Sequence, residues 1–402
     1  MRTTKPLLIA APALFLFTLL APTVTAQTLQ ENPPVPASQP SAAVQPAMAD
    51  IESQCSGIRK GVNEFISYPS VSNLYFENDL FTGTDRDYTN GVKLSWVSSN
   101  LRSYTEAACL PEWIKGLNSL FTAVHPGDFT SRNMVVTLGQ SMYTPQDRLR
   151  RDVIPNDRPY AGWLYLGLGY NARKSVPPQG ALPNRLTEKL DVELDRMDTV
   201  EVNIGVVGPA ALGKQTQDFI HNLRGIGLFY GWDNQLHNEL GLQLVAERKY
   251  KVSKAGSGGV LHFDAISHYG ASLGNVQTYA NAGMEFRLGT GLPDDFGSAP
   301  IRPGGDSNSP IEGEGSRYAT SGVHAFLALD GRLVARNIFL DGNTFSSSPS
   351  VHKKYLTGDA ALGFAWQWRG GKVAYAHYIN SKEFTTQVNS HKYGSVTLSL
   401  EM

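Results

Sequence analysis

Long apolar runs are missing from almost all of this 402-residue chain. After Ala26, Gly, Asn, Asp or Arg interrupts every hydrophobic stretch before it reaches the roughly 18 residues that a transmembrane helix needs. The hydrophobic fraction of 41% is also too low for a helical membrane protein. If the mature chain enters a membrane, it must therefore cross it as β-strands.

The chain also has almost no net charge and few cysteines. The formal net charge is -1, so no basic field favours nucleic acid as a partner. The chain has 2 cysteines, Cys55 and Cys109, and neither lies in a cluster with metal-ligand spacing. An exported chain meets an oxidising compartment, so we expect these two residues to form one disulfide.

The first residues indicate export. Arg2 and Lys5 precede an apolar run from Leu7 to Leu20, and Thr23-Val24-Thr25-Ala26 provides small residues for cleavage. A helical anchor is the competing interpretation, but the run is shorter than the roughly 18 to 20 residues that span a bilayer. We therefore predict that residues 1–26 are a signal peptide.

Two further segments precede the regular part of the chain. Residues 27–50 are rich in Pro, Ala, Ser and Gln, a composition that predicts a flexible leader. Within residues 51–70, Ile58, Val62 and Phe65 are spaced for one apolar helix face, which predicts a short helical segment before the barrel that could plug or cap one of its ends.

Residues 71–402 form a series of segments in which apolar and polar residues alternate. This period places successive side chains on opposite faces of a sheet. The 39 Gly, 17 Tyr, 17 Phe and 6 Trp suit tight turns and aromatic girdles. We predict an all-β fold, an antiparallel transmembrane β-barrel of about 12 strands of the outer-membrane type. A large soluble β-sandwich shows the same alternation, so the pattern alone leaves that fold open.

The predicted strands end with a closing strand at the C-terminus. The Gly/Pro/Asp/Ser-rich stretch from Gly289 to Ser316 is predicted to be a long loop that faces outward. The alternating segments are Val71–Asn78, Gly91–Ser98, Met134–Tyr143, Trp163–Arg173, Val200–Val206, Leu240–Tyr250, Leu261–His268, Gln277–Leu288, His324–Leu333, Val334–Leu340, Ala360–Trp368, Lys372–Ile379 and Ser395–Met402.

A first polar cluster follows the first predicted strand. Glu77-Asn78-Asp79 precedes Asp85, and Thr89 lies shortly beyond it. Carboxylates, amides and hydroxyls are hard oxygen donors, the ligand class that calcium uses. The same residue types also make ordinary hairpin loops. The cluster taken alone leaves a metal site and a simple turn both open.

Two further clusters contain groups suited to catalysis and binding. Residues 208–221 leave a strand at a turn and then have the pattern of a short helix that ends in His221, a candidate general base. Arg148, Arg150 and Arg151 precede a charged turn and are suited to binding lipid phosphates. A lone histidine is more often structural, and loop arginines are often simply solvated, so both alternatives stay open.

Together these clusters resemble the outer-membrane lipid A 3'-O-deacylase family, LpxR. The resemblance runs from Val71 to the C-terminus, with the motifs in the family's order. It implies a barrel of twelve strands in the outer membrane that acts on lipid A in lipopolysaccharide. We expect the protein to be a monomer, although the motifs themselves do not specify the oligomeric state. The motifs are Glu77-Asn78-Asp79, Asp87-Tyr88-Thr89-Asn90-Gly91, Asn156-Asp157-Arg158-Pro159-Tyr160-Ala161-Gly162, and Gly208-Pro209 with His221 downstream.

The resemblance also implies a catalytic set of four residues. His221 would take a proton from the water that attacks an ester carbonyl. A calcium ion held partly by Asp79 would stabilise the oxyanion, and Asn78 and Thr89 would orient ligands or donate hydrogen bonds.

The resemblance also covers two basic positions, and the chain differs from the family's pattern at two others. Arg150 and Arg151 would hold a lipid A phosphate. Gly227 replaces an acidic residue expected six positions after the histidine, and Leu80 follows the Asn-Asp pair. Calcium is therefore expected to be held differently here, with Glu77 or Asp85 as further ligands, or to be held weakly.

Two other functions remain open at this stage. A phospholipase-like barrel esterase would also use a histidine and calcium, but it needs a serine nucleophile. A structural or pore-forming barrel would be non-catalytic, and it has no need of Asn78, Asp79, Thr89 and His221 together.

Overall fold

The structure is a computed structural model that describes residues 70–82, 87–99, 101, 104, 116, 118–119, 129–177, 192–254, 260–298, 305–306 and 321–402. All of these residues belong to one compact unit, Gln45–Met402. The predicted signal peptide, the leader, the pre-barrel segment up to residue 69, Asp85, and the cysteines Cys55 and Cys109 lie outside the described residues. The expectations for them stay predictions.

Twelve antiparallel strands form a closed barrel, as the sequence predicts. Each strand pairs with its neighbours in the chain, and β1 closes the barrel by pairing with β12. Within the described part of the chain, no helix combines the length and apolar character needed to cross a membrane. The strands are β1 Val71–Asn78, β2 Asp87–Val97, β3 Ser131–Thr144, β4 Ala161–Val176, β5 Val192–Val207, β6 Glu239–Lys254, β7 His262–Gly274, β8 Gln277–Gly289, β9 Gly322–Asn337, β10 Leu356–Trp368, β11 Gly371–Asn380 and β12 His391–Glu401.

Two of the predicted strands are one strand in the structure. His324–Leu333 and Val334–Leu340 were expected to be separate, but β9 runs through both as far as Asn337. The pairing of β9 with β8 shifts between Thr278 and Tyr279, an irregularity that interrupts the alternation near this point. The alternation of apolar and polar residues is therefore interrupted within a strand that is itself continuous.

Side-chain alternation separates a lumen face from an outer face. On β1, exposed Leu74 shares the outer face with Phe76 and Asn78. Asn73 and Tyr75 occupy the other face, where both are buried among polar partners of the interior. Large exposed side chains form an apolar outer band, as contact with lipid requires; they include Leu94, Leu138, Leu166, Leu242, Leu362 and Phe364.

The connections lie at two ends of the barrel. Val71 pairs with Glu401, so β1 begins where β12 ends, at what we call the terminal end. The opposite end, the distal end, carries the connections 145–160 and 208–238. Because the strands are antiparallel, the connection 290–321 between β8 and β9 lies at the terminal end.

Part of the 290–321 connection folds into the lumen, which corrects the expectation of an outward-facing loop. We call its described residues 293–298 and 305–306 the lumen segment. Its aspartates match basic side chains of the barrel interior, and this pairing explains the inward course of the chain. Asp306 pairs with Lys93 at 3.0 Å, Asp294 pairs with Arg173 at 2.8 Å, and Asp295 pairs with Arg287 and Lys372.

Asp306 carries its negative charge at neutral pH. Burial opposes the charge, but Lys93 and hydrogen bonds from Ser95 and Tyr75 outweigh burial and lower the pKa of Asp306. A carboxyl group with a lowered folded-state pKa stabilises the fold fully above the unfolded value of about 3.9, and this stabilisation is lost as the pH falls further. The lumen segment is therefore held in place at neutral pH and loosened by acid.

We expect the lumen segment to block ion flow. In planar bilayers, the wild-type protein should show no steady conductance at pH 7, and conductance should appear as the pH falls below about 4. Asp306→Asn should conduct at pH 7, because removing one partner of a buried ion pair costs about 3 to 5 kcal/mol. Asp152→Asn, which alters an exposed distal carboxylate, is the control. Equal conductance of Asp306→Asn and wild type would contradict this account.

Candidate active site

The connection between β5 and β6 forms the helix that carries His221. Gly208 has a φ of 104° and is followed by a 3-10 helix, Pro209–Ala211. Leu212 then adopts the left-handed conformation, with a φ of 59°, and the helix α1 spans Gly213–Arg224. The turn and short helix predicted from the sequence are confirmed.

Small residues let α1 dock on the outside of the barrel wall at β3 and β4. Gly162 shares the outer face of β4 with exposed Leu166, and a Cβ at Gly162 would lie 3.0 Å from the Cβ of Ala211. On β3, outward-facing Gln140 donates from Nε2 to the carbonyl of Ala211 at 2.7 Å. The helix therefore lies outside the lumen, against the wall.

The buried face of α1 is polar. Gly213, Gln217 and His221 recur every four residues and are the buried positions of the helix. The Trp232 indole donates to Oε1 of Gln217 at 2.7 Å, while Nε2 of Gln217 is buried and has no hydrogen-bond partner among the described residues. Sequence reasoning missed Gln217, although its spacing of four residues from His221 was a usable signal.

The turn after α1 fixes the orientation of the His221 ring. Gly225 caps the helix with a φ of 66°, and the chain folds back so that Nδ1 of His221 lies 2.8 Å from the carbonyl oxygen of Gly227. A carbonyl oxygen can only accept, so Nδ1 carries the proton and Nε2 is the basic nitrogen. Phe229 packs edge-on against the ring, and His221 is 1% exposed.

A buried polar cluster lies at the distal ends of β1, β2 and β3. Asn78 pairs in register with Asn90, and alternation places both on the outer face. Thr89 is the extra residue of an irregularity between Tyr88 and Asn90, and its hydroxyl lies 2.6 Å from that of Thr144 on β3. These side chains and Asp79 are almost fully buried, although neighbouring outward residues are exposed.

The structure thus brings together three of the four predicted catalytic residues. Asn78 and Asp79 are consecutive at the end of β1, and Thr89 lies on the adjacent strand. His221 comes from α1, which contacts β3 and β4, the next strands along the wall. Glu77 shares the lumen face with Tyr75 and lies near Tyr88 and Tyr393. Glu77 therefore faces the lumen, whereas Asn78, the next residue of the strand, lies on the outer face.

The motif from Asn156 to Gly162 supports the α1 region. Asp157 accepts hydrogen bonds from the backbone amides of Gln146 and Arg158, both at 2.8 Å, and these bonds close the 145–160 connection. Tyr160 packs against Trp232 with ring centroids 5.0 Å apart, and its carbonyl accepts from the amide of Leu236 at 2.9 Å. These contacts indicate a structural role for the motif.

The predicted phosphate-binding arginines lie on the same supporting loop. Arg150 forms two hydrogen bonds to Asp152, both at 2.9 Å. The Arg151 guanidinium lies 5.0 Å from the centre of the Tyr230 ring. Arg148 is close to the departure at Gly227, where an added Cβ would lie 3.5 Å from its guanidinium carbon. The guanidinium of Arg148 therefore lies next to position 227, where the resemblance predicts an acidic side chain.

The oxygen donors on the wall fit a calcium ion better than a transition metal. Asp79 offers a carboxylate, Asn78 and Asn90 offer amide oxygens, and Thr89 offers a hydroxyl, all of them hard ligands. The described residues include no group of three or more His, Cys, Asp or Glu side chains that could hold a metal. A cation here would thus depend on one carboxylate and neutral oxygens.

Comparison with known proteins identifies the family. Residues 18–179 and 186–402 match the family described as outer membrane protein LpxR. This chain belongs to the LpxR family. LpxR from Salmonella typhimurium has a similar solved structure, with a TM-score of 0.58, 17% identity, and coverage of 83% of this chain and all of that chain (100%).

Two other comparisons complete the findings. The translocator domain of the autotransporter NalP from Neisseria meningitidis gives a TM-score of 0.36 at 10% identity, covering 90% of this chain and 98% of that domain. No curated protein sequence matches. Membership of the LpxR family places the chain in the outer membrane and supports an outer-membrane enzyme that modifies lipid A.

Proposed function

We propose that the protein hydrolyses an ester-linked acyl chain of lipid A, at the 3' position, in the outer leaflet of the outer membrane. The observation that carries the proposal is the orientation of His221 by Gly227 on a helix outside the barrel wall. Lipid substrates reach the outer face of a barrel rather than its lumen. A buried polar site on that face is suited to a lipid headgroup.

His221 is the proposed general base. With its proton on Nδ1, the ring presents the lone pair of Nε2 to a water molecule that attacks the ester carbonyl. The Gly227 carbonyl stabilises the positive charge that develops on the ring when Nε2 takes the proton. Nε2 then returns the proton to the departing sugar hydroxyl.

Asp79, Asn78 and Thr89 are the proposed calcium-binding side chains. When bound, calcium would supply a Lewis acid that polarises the ester carbonyl. Asp79 would provide the negative charge, and the amide of Asn78 and the hydroxyl of Thr89 would add neutral oxygens. Asp85, which lies outside the described residues, stays a predicted further ligand.

The alternatives have less support among the described residues. Gly270-Ala271-Ser272-Leu273-Gly274 has the spacing of a serine nucleophile motif, but it lies inside β7. Ser272 is fully buried and donates to the carbonyl of Gln277, which leaves it no access to His221 on the outer wall. The lumen segment argues against an open pore, because its aspartates pair with side chains of the interior.

Mass spectrometry of lipid A tests the proposal. Lipid A is extracted from cells that express the wild-type protein and from cells with an empty vector. We expect loss of one ester-linked acyl chain, assigned to the 3' position by fragmentation, only in cells with the protein. Unchanged lipid A, despite folded protein in the outer membrane, would reject the proposal.

Arg151 is expected to contribute more to substrate binding than Arg150. Asp152 already forms two hydrogen bonds with Arg150, whereas Arg151 rests on Tyr230. Charge-assisted hydrogen bonds contribute about 1.5 to 3 kcal/mol, so Arg151→Ala should raise KM roughly 10- to 100-fold with kcat little changed. Arg151→Lys should recover part of the loss.

Steady-state kinetics on purified lipid A measures this effect. Lys354→Ala, which removes an exposed distal lysine from the connection between β9 and β10, is the matched control. A fall in kcat at constant KM for Arg151→Ala would rule out the binding role.

A further inference from the structure

Asn90 is a buried asparagine near the distal end of β2. It lies in β2 and is 2% exposed. Within the part of the chain that the structure describes, neither Oδ1 nor Nδ2 has a hydrogen-bond partner. Burying an unpaired amide destabilises the fold, so such groups are rare in proteins and call for an explanation.

The position of Asn90 places this amide among the oxygen donors of the site. It pairs in register with Asn78, and opposite residues of an antiparallel pair have Cβ atoms roughly 4.5 to 5.5 Å apart. Asp79 follows Asn78 directly, and Thr89 precedes Asn90. The irregularity at Thr89 is the kind of feature that redirects side chains next to active sites.

A purely structural asparagine on the same sheet is satisfied differently. Asn73 lies on the lumen face of β1 and is also 2% exposed. Its Nδ2 donates to the hydroxyl of Ser95 on β2 at 3.1 Å. These two equally buried asparagines on adjacent strands therefore differ in their hydrogen bonding: Ser95 accepts from Asn73, whereas no described residue hydrogen-bonds the side chain of Asn90.

We propose that the carboxamide of Asn90 is a ligand of the divalent cation at this site. This inference rests on the proposed function, which places calcium beside Asp79. Oδ1 of Asn90 adds a third neutral oxygen to those of Asn78 and Thr89 and compensates for the single carboxylate. Nδ2 is then left to donate to an oxygen of the substrate.

Calcium titration of the full-length protein in detergent tests the inference. After chelation, calcium binding is measured by isothermal titration calorimetry, and thermal stability is measured without calcium. Asn90→Leu should bind calcium at least 10-fold more weakly, which is 1.4 kcal/mol. Its calcium-free stability should be unchanged or higher, because an unpaired buried polar group is removed. Asn90→Asp should bind at least as tightly as wild type.

Asn73→Leu is the matched control. It should lower the calcium-free stability, because it breaks a satisfied hydrogen bond, and leave calcium affinity unchanged. Wild-type calcium affinity in Asn90→Leu, or no calcium binding by the wild-type protein, would overturn the inference.

Lipid A analysis of the same preparations separates the two proposals. If wild type removes an acyl chain and Asn90→Leu binds calcium normally, only the assignment of Asn90 fails. If Asn90→Leu binds calcium weakly but wild type leaves lipid A intact, the ligand assignment stands and the deacylase function fails.

Discussion

His221→Ala should abolish removal of the acyl chain from lipid A. General-base catalysis contributes roughly 100- to 10,000-fold, and His221 is the only group in our mechanism that takes the proton from water. The loss should appear in kcat, measured as fatty acid released from purified lipid A. Calcium affinity should stay at the wild-type value, because no imidazole belongs to the proposed ligand set.

The control for this variant is His237→Ala. His237 lies in the same connection between β5 and β6, but it is exposed and interacts with Ser346. It should retain activity. Full activity of a folded His221→Ala variant would contradict the role of the base. Inhibition of the wild-type protein by a fluorophosphonate would instead favour the serine-dependent esterase.

Asp79→Asn should abolish activity at low calcium and recover part of it at high calcium. Asp79 provides the only carboxylate that the described residues contribute to the proposed site. Its loss should weaken calcium binding at least about 100-fold, or about 2.7 kcal/mol. A calcium titration of the hydrolysis rate measures the shift.

The activities of the two variants should therefore respond differently to added calcium. Excess calcium should rescue Asp79→Asn but not His221→Ala. Asp233→Asn, which changes an exposed carboxylate of the same distal end, is the control and should follow the wild-type curve. An unchanged calcium dependence in Asp79→Asn would remove Asp79 from the ligand set.

Much of the barrel could be predicted because alternation reports directly on the two faces of a strand. The pattern failed where pairing is irregular, as in β9, where a shift opposite Tyr279 divides one strand into two apparent segments. It also failed for the lumen segment. A loop rich in Asp, Gly and Pro has no sequence signal for the buried Arg287 and Lys372 that Asp295 meets inside the barrel.

The sequence motifs identified most residues of the candidate site, but they did not show on which face of the barrel wall each side chain lies. The sequence grouped Glu77 with Asn78, yet consecutive strand residues face opposite sides of the wall, so Glu77 faces the lumen. Gln217 was identified only in the structure, which shows that it lies on the buried face of α1 and accepts a hydrogen bond from the Trp232 indole. That α1 docks outside the wall depends on Gly162 and Ala211, whose close contact no local pattern reveals.

The most direct test of the account is hydrolysis of defined hexa-acylated lipid A by the purified protein in ¹⁸O-labelled water with calcium. Mass spectrometry then identifies the released fatty acid and the position from which it came. The account predicts loss of the 3' ester-linked chain as a free fatty acid with one ¹⁸O in its carboxylate, because water attacks the carbonyl. Intact lipid A, or release from another position, would contradict it.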